Sequence, residues 1–232
     1  MKVFFAVPAY RGIVCDEMVD SLGETMQLLK DEHNIHSTLN VLTGCCYIQI
    51  ARNKLVKSFL ESDCDVIMFL DDDISWNAED AVRVIKHESD IVAGVYRIKA
   101  DYEEYPAMFC CDENGQATFV NGCLEATRVP TGFLRIRRNV FEDIALLNPE
   151  LEYLDFPRGI EGGLPEKYFD FFPQGVYDKV WTGEDYAFCK LWCDIGGKIW
   201  VIPDIEFNHH DGDKIYSGSV LKHFRRLENG ES

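Results

Sequence analysis

The spacing of apolar positions along this chain changes several times, and each change marks an element. Residues 2–7 form an almost unbroken apolar run, the pattern of a strand buried on both faces, and Pro8-Ala9-Tyr10-Arg11-Gly12 ends it as a turn. Val19, Leu22, Met26 and Leu29 then recur at helical spacing, with Asp16 as cap and an end near Asn34. A second strand is predicted over 37–42. A second helix over 47–60 follows from Ile48, Ala51, Leu55 and Phe59, with Gln49, Arg52 and Asn53 near its start. Next, Val66-Ile67-Met68-Phe69-Leu70 reads as a buried strand that runs directly into Asp71-Asp72-Asp73. A helix from Asn77 through Ala81, Val84 and Ile85, then a strand over 90–96, complete a strand-helix alternation. This predicts an α/β fold with a mainly parallel sheet flanked by helices on both faces.

Beyond residue 96 the pattern becomes mixed. Residues 106–111 and 116–120 flank Asp112-Glu113-Asn114-Gly115, a hairpin turn signal, and 124–129 alternates like a strand. Thr131-Gly132 precedes a short apolar strand and a helix over 139–145. Residues 148–181 contain Pro149, Pro157, Gly159, Gly162, Gly163, Pro165, Pro173 and Gly175 and read as one long loop. Thr182-Gly183-Glu184-Asp185 opens a helix through Phe188, Leu191 and Trp192 that stops at Gly196-Gly197. A strand over 198–202 leads to Phe207-Asn208-His209-His210-Asp211-Gly212, a flexible segment over 212–218 and a charged tail. With no repeat, low-complexity tract or linker, residues 1–232 read as a single domain.

A net charge of -17 and a pI near 4.7 exclude general electrostatic binding to a nucleic-acid backbone or an anionic membrane. A local cation can still hold an anionic ligand. Nine cysteines, an odd number without framework spacing, read as reduced thiols. Pro8 and Arg11 come too early for a signal-peptide core, and no window approaches the roughly 20 apolar residues that span a bilayer. The expected address is cytoplasmic, with no transmembrane segment.

Three consecutive carboxylates at a strand's carboxyl end repel one another, which calls for a positive partner, most simply a divalent cation. Open α/β sheets bind ligands at that edge. The plainer alternative is a solvated acid run in which Asp73 caps the following helix. In the first turn Tyr10 suits stacking on a base and Arg11 suits a phosphate. Arg52 either faces an anionic ligand or pairs with an aspartate.

Together the apolar strand ending in Asp71-Asp72-Asp73, the Thr131-Gly132 turn, the Gly183-Glu184-Asp185 helix start and the late His210-x-Gly212 resemble GT-A fold glycosyltransferases of the family-2-like nucleotide-sugar type, over residues 2–218. The resemblance implies a Rossmann-like, mixed sheet, with a nucleotide-binding half near 1–100 and an acceptor and catalytic half near 101–220. It implies transfer of one hexose or deoxyhexose from a nucleotide-sugar donor to a hydroxyl of a glycan, lipid-linked or protein-linked acceptor, with inversion, in carbohydrate biosynthesis. By the family pattern Asp73 binds Mn²⁺ or Mg²⁺, Asp71 helps with the metal or the ribose, and Asp72 points away. His210 (or else His209) is a further ligand, which favours Mn²⁺. Asp185 is the general base, Glu184 an acceptor contact, and Thr131 and Gly132 border the donor sugar. Pro8, Tyr10, Arg11 and Arg52 complete the donor side. Rings at Tyr153, Phe156, Tyr168, Phe169, Phe171 and Phe172 either stack on acceptor sugars or pack in the core, and Lys214 and Tyr216 suit a lid.

Two rivals come from the same residues. Asp71-Asp72-Asp73-Ile74-Ser75 also fits the motif of haloacid-dehalogenase-like phosphatases, with Asp71 as nucleophile and Asp73 as general acid beside Mg²⁺. An inactive transferase homologue that binds carbohydrate is the non-enzyme reading, and it predicts loss of the metal or base carboxylates.

Overall fold

Side chains of β1 (Lys2–Ala9) alternate between two cores: Phe4 and Ala6 enter one, while Val3, Phe5, Val7 and Ala9 enter the other. This period of two is what burial on both faces requires. The computed structural model describes residues 1–156, 163–177 and 179–230. After β1 come α1 (Asp16–His33), β2 (His36–Thr43), α2 (Ile48–Glu61), β3 (Val66–Leu70), β4 (Ile74–Trp76), α3 (Ala78–Lys86) and β5 (Ile91–Ala93). The mixed half begins with β6 (Met108–Phe109), β7 (Phe119–Val120), β8 (Cys123–Arg128), β9 (Phe133–Arg137) and α4 (Arg138–Leu147). Then follow β10 (Glu152–Asp155), β11 (Glu166–Phe169), β12 (Gly175–Tyr177), β13 (Val180–Thr182), α5 (Glu184–Asp194), β14 (Ile199–Val201), β15 (Phe207–Asp211), β16 (Lys214–Gly218) and α6 (Val220–Glu228).

The central sheet has the order β2-β1-β3-β9-β5-β14-β8-β6, with β7 also on β8. β2, β1, β3, β5 and β14 run in one direction, while β9 is antiparallel to both β3 and β5, and β8 to β14. The expected α/β class with a mixed, mainly parallel sheet is therefore what the chain forms. Helices α1 and α3 cover one face, and α2, α4 and α5 the other. Because β9 runs against β3 with Phe133 opposite Leu70, the Thr131-Gly132 turn lies beside the acid turn. A smaller sheet, β16-β15-β4, puts His209 opposite Ile74.

Two arginines fasten helix ends to this sheet. Arg135 on β9 is fully buried and donates to the carbonyl oxygens of Val84, His87, Ser89 and Asp90 at the end of α3. Arg138 does the same for the carbonyls of Phe59, Leu60, Ser62 and Cys64 at the end of α2. The last carbonyls of a helix lack intrahelical donors, so a guanidinium with five N–H groups satisfies several at once. Burial, with Arg137 nearby, lowers the Arg135 pKa to about 9.

The structure departs from the pattern in several places. β1 continues through Pro8, since its pairing with β3 has ended at Ala6 and only β2 remains alongside. The buried stripe of α1 is Met18, Leu22, Thr25 and Leu29, and Val19 is exposed. Thr25 is accommodated because its hydroxyl donates to the Ser21 carbonyl and accepts from the Trp76 indole. The helix caps at Cys15, with Asp16 in its first turn, and α3 is capped by the Asn77 side chain, not by Asp73. Strands β6 and β7 pair with β8 beyond the expected turn at Asp112–Gly115, where only Cys111 and Ala117 bridge. The predicted long loop contains two antiparallel hairpins, β10-β11 and β12-β13. The predicted flexible segment is β16, and the tail forms α6, which buries Val220 and packs Phe224 on the core. Among the described residues no helix is long and apolar enough to cross a membrane.

Candidate active site

Asp71, Asp72 and Asp73 leave β3 in three directions. The Asp71 N–H donates to the Gly132 carbonyl (2.8 Å), and its carboxylate accepts from the Tyr96 hydroxyl and lies 3.9 Å from the Arg52 guanidinium. Gly132 is required here because a Cβ would overlap the Asp71 carboxylate and the Tyr96 hydroxyl. Buried Tyr96 has its pKa raised by desolvation and by Asp71, so it stays a donor. The Asp72 carbonyl accepts from the Cys15 N–H, and burial with two like-charged neighbours raises its carboxyl pKa. On Asp73 burial acts upward, but hydrogen bonds from His209 and Lys99 outweigh it and hold the carboxyl below its ordinary value.

Asp73 Oδ2 meets Lys99 Nζ at 2.5 Å, and Oδ1 faces His209 Nε2 at 3.4 Å. His209 Nδ1 is 2.9 Å from the Arg97 carbonyl, which can only accept, so Nδ1 carries a proton and Nε2 is turned to Asp73. Nε2 and Asp73 Oδ1 thus face one another, and once Nε2 is free of its proton they present two ligand atoms to the same point. These two groups therefore fit a divalent ion. His210 was the sequence choice for this place. It points to the opposite face because neighbours on β15 alternate, and its Nε2 meets Ser75 Oγ at 2.9 Å. On that face its ligating atom lies within 4.8 Å of those of Cys15 and Glu17.

Arg52, buried at 5% exposure over the Phe172 ring, links the acid turn to α5 by pairing with Glu184. Of the two courses the sequence left open, the structure shows the pairing with an aspartate, Asp71, and adds one with Glu184. Gly183 is the N-cap of α5 without a side-chain cap, and Asp185 Oδ1 accepts from the Tyr186 N–H. Burial and then Glu184 raise the Asp185 pKa, against the opposing effects of Arg52 and the backbone.

Pro8 lies in β1, and Tyr10 and Arg11 are exposed in the turn that follows. This turn is tied to the end of β2 by Gly44 N–H to the Tyr10 carbonyl, and to the acid turn through Cys15. Thr131 is buried, and its hydroxyl has no hydrogen-bond partner among the described residues. Tyr216 on β16 is paired opposite His209, with the Arg97 guanidinium 5.5 Å from its ring, and Lys214 begins the same strand. The aromatic set divides. Phe171 and Phe172 pack against Phe141 and Phe188 in the core, with Phe169 stacked on Phe171. Tyr153 stacks on Tyr168, and both line a cavity of about 460 Å³ with Tyr47, Lys54, Phe156 and Glu166. Pro157, Gly159 and Gly162 of the predicted loop lie outside the described residues.

Sequence reasoning missed Tyr96 and Lys99. The predicted strand over 90–96 ends at Ala93, so Tyr96 and Lys99 both lie in the irregular segment beyond it, and the available signal was the need for a donor and a cation near three carboxylates. Asn53, which stood near Arg52 in the sequence, is structural: it joins Asp170 and the Phe172 N–H.

No protein-family model and no curated protein matches the chain. Among solved structures it is similar to glycosyltransferases. S. aureus TarS 1-349 has 17% identity and a TM-score of 0.44, covering 100% of this chain and 65% of that one. The same protein in complex with UDP has 17% identity and a TM-score of 0.43, covering 94% and 60%. GalNAc-T7 with UDP, GalNAc and Mn2+ has 12% identity and a TM-score of 0.47, covering 89% and 43%. The chain thus spans less than two thirds of the length of each.

Proposed function

We propose that this chain is a metal-dependent glycosyltransferase that moves one sugar from a nucleotide-sugar donor to an acceptor hydroxyl with inversion. The observation that carries the reading is the convergence of Asp73 and His209 Nε2 beside Asp71 at the carboxyl end of β3, with Arg52 and Lys99 as flanking cations. Asp73 and His209, assisted by Asp71, would hold Mn²⁺ or Mg²⁺, and the nitrogen ligand favours Mn²⁺. When bound, the ion neutralises charge that develops on a departing diphosphate.

The remaining roles belong to side chains. Tyr10 stacks on the base, Arg11 meets phosphate, and Asp71, held by Tyr96, takes a ribose hydroxyl. Pro8 shapes the turn that presents Tyr10 and Arg11. Thr131 and Gly132 border the donor sugar as the turn beside Asp71, and Gly132 also leaves room for the Asp71 carboxylate. Asp185 accepts the acceptor's proton as oxygen bonds to the anomeric carbon and the bond to the leaving phosphate oxygen breaks. Glu184 positions Arg52 and borders the acceptor. The tyrosine-lined cavity, with the carboxylates of Asp155 and Glu166, suits a sugar-bearing acceptor. In this reading residues 1–100 bind the nucleotide, residues 101–220 supply acceptor and base, and the whole works as one domain. Nine unpaired thiols fit a reducing, cytoplasmic setting.

The test is a panel of nucleotide sugars incubated with Mn²⁺, with nucleoside diphosphate release as the readout. One donor should be consumed, slowly with water and faster with its acceptor. Orthophosphate released from a generic phosphoester, with no donor consumed, would transfer the site to the phosphatase reading.

The histidines give a second expected result. His209→Ala should weaken Mn²⁺ binding by more than about 10-fold, since even losing an outer-shell partner of a ligand costs about 10- to 100-fold, and His210→Ala should leave it within about twofold. Titration of Mn²⁺ monitored by electron paramagnetic resonance reads both. The reverse order would assign the ion to the Cys15, Glu17 and His210 face.

A further inference from the structure

Lys99 is the cation nearest the acid turn that the proposed mechanism leaves without a task. Its segment is folded by its own hydrogen bonds: Arg97 donates to the carbonyls of Ala100 (2.9 Å) and Tyr102 (3.0 Å), and the Ile98 N–H to the Glu104 carbonyl (3.0 Å). The same segment supplies the Arg97 carbonyl that orients His209. One loop therefore places a fixed ammonium on Asp73 and turns the histidine toward that same carboxylate.

The two contacts use different oxygens. His209 faces Oδ1 and Lys99 meets Oδ2, so an ion between Oδ1 and Nε2 does not need the lysine's position. Among the described residues Asp73 is the only hydrogen-bond partner given to the ammonium, which has three donors, so two remain for a ligand. A lysine serving only as an ion-pair partner would contribute little to stability at this degree of exposure. A strongly hydrated point charge with free donors suits a phosphoryl oxygen.

We propose that Lys99 is a donor-binding residue whose ammonium contacts the terminal phosphate of the nucleoside diphosphate, a second positive charge beside the metal. This rests on the transferase reading above. No covalent step involves the lysine: it keeps its proton and hydrogen-bonds an oxygen that becomes more negative as the sugar leaves.

The experiment compares nucleoside diphosphates with their monophosphates by titration calorimetry, with and without Mn²⁺, in wild type, Lys99→Met and Lys99→Arg. Lys99→Met should lose about 10- to 100-fold in affinity for the diphosphate, the scale of a charge-assisted hydrogen bond, and less than about twofold for the monophosphate. Lys99→Arg should retain most of it. The loss should persist without Mn²⁺. Equal affinity of Lys99→Met and wild type for the diphosphate, or equal losses for both ligands, overturns the assignment and leaves the transferase reading standing. Failure of the wild type to bind any diphosphate overturns both. Thermal melting confirms that each variant is folded, and Lys99→Gln, which keeps a polar stem, replaces Met if that variant does not fold.

Discussion

Replacing Asp185 with Asn lowers turnover by about 10²- to 10⁴-fold, the usual contribution of a positioned base, while diphosphate affinity stays within about twofold of wild type. An amide keeps the size of the side chain and its acceptor toward the Tyr186 N–H but cannot take a proton at neutral pH. The base works only as a carboxylate, and burial with Glu184 raises its pKa. Activity should therefore rise with pH through a limb that lies above the ordinary aspartate value of about 3.9. Glu184→Gln removes the like charge, so the Asp185 pKa falls and the limb moves to lower pH. A pH-rate profile of kcat checks both signs. Asp185→Asn retaining more than about a tenth of the turnover would remove Asp185 from the chemistry.

Arg135→Met should cost about 3–5 kcal/mol of stability, the scale of leaving the His87 and Ser89 carbonyls without donors and losing a buried charged hydrogen-bond network. Methionine fills much of the volume but offers nothing to the carbonyls of His87 and Ser89, whereas those of Val84 and Asp90 keep the backbone N–H groups of His87 and Arg137. For a chain of this size the melting temperature should fall on the order of 10 °C. High salt should not reproduce the loss, because these bonds are buried and run to neutral carbonyls. Equilibrium denaturation gives the number, and a loss below about 1 kcal/mol would mean that α3 ends without needing this guanidinium.

Much of the fold was legible because its central strands are buried on both faces. Runs such as Val66–Leu70 announce themselves, and the strand-helix alternation to residue 96 needs no long-range information. What was missed depended on pairing across the chain. β4 is only three residues long and exists because β15 returns to it, and α6 was read as a charged tail although Val220, Leu221, Phe224 and Leu227 recur at helical spacing between its basic residues. At the site, the acid turn, the Thr131-Gly132 turn and the Glu184-Asp185 helix start were visible as motifs; the Asp71 N–H joins the first two and Arg52 joins the acid turn to the helix start. The choice between His209 and His210 was not legible. A one-residue difference on a strand reverses the side chain, and only the pairing with β4 fixes which histidine faces Asp73. Tyr96 was read as the end of a strand that stops at Ala93, and Lys99 carried no local signal because its segment is irregular.

The central claim is that Asp73 and His209 hold a divalent cation that recruits a nucleoside diphosphate to the end of β3. Titration calorimetry of diphosphate binding with and without Mn²⁺, in wild type and Asp73→Asn, tests it most directly. The account predicts that Mn²⁺ tightens binding of one diphosphate by at least about tenfold in wild type and has no effect in the variant. Diphosphate binding that ignores Mn²⁺ in the wild type, or Mn²⁺ enhancement that survives in Asp73→Asn, would contradict it.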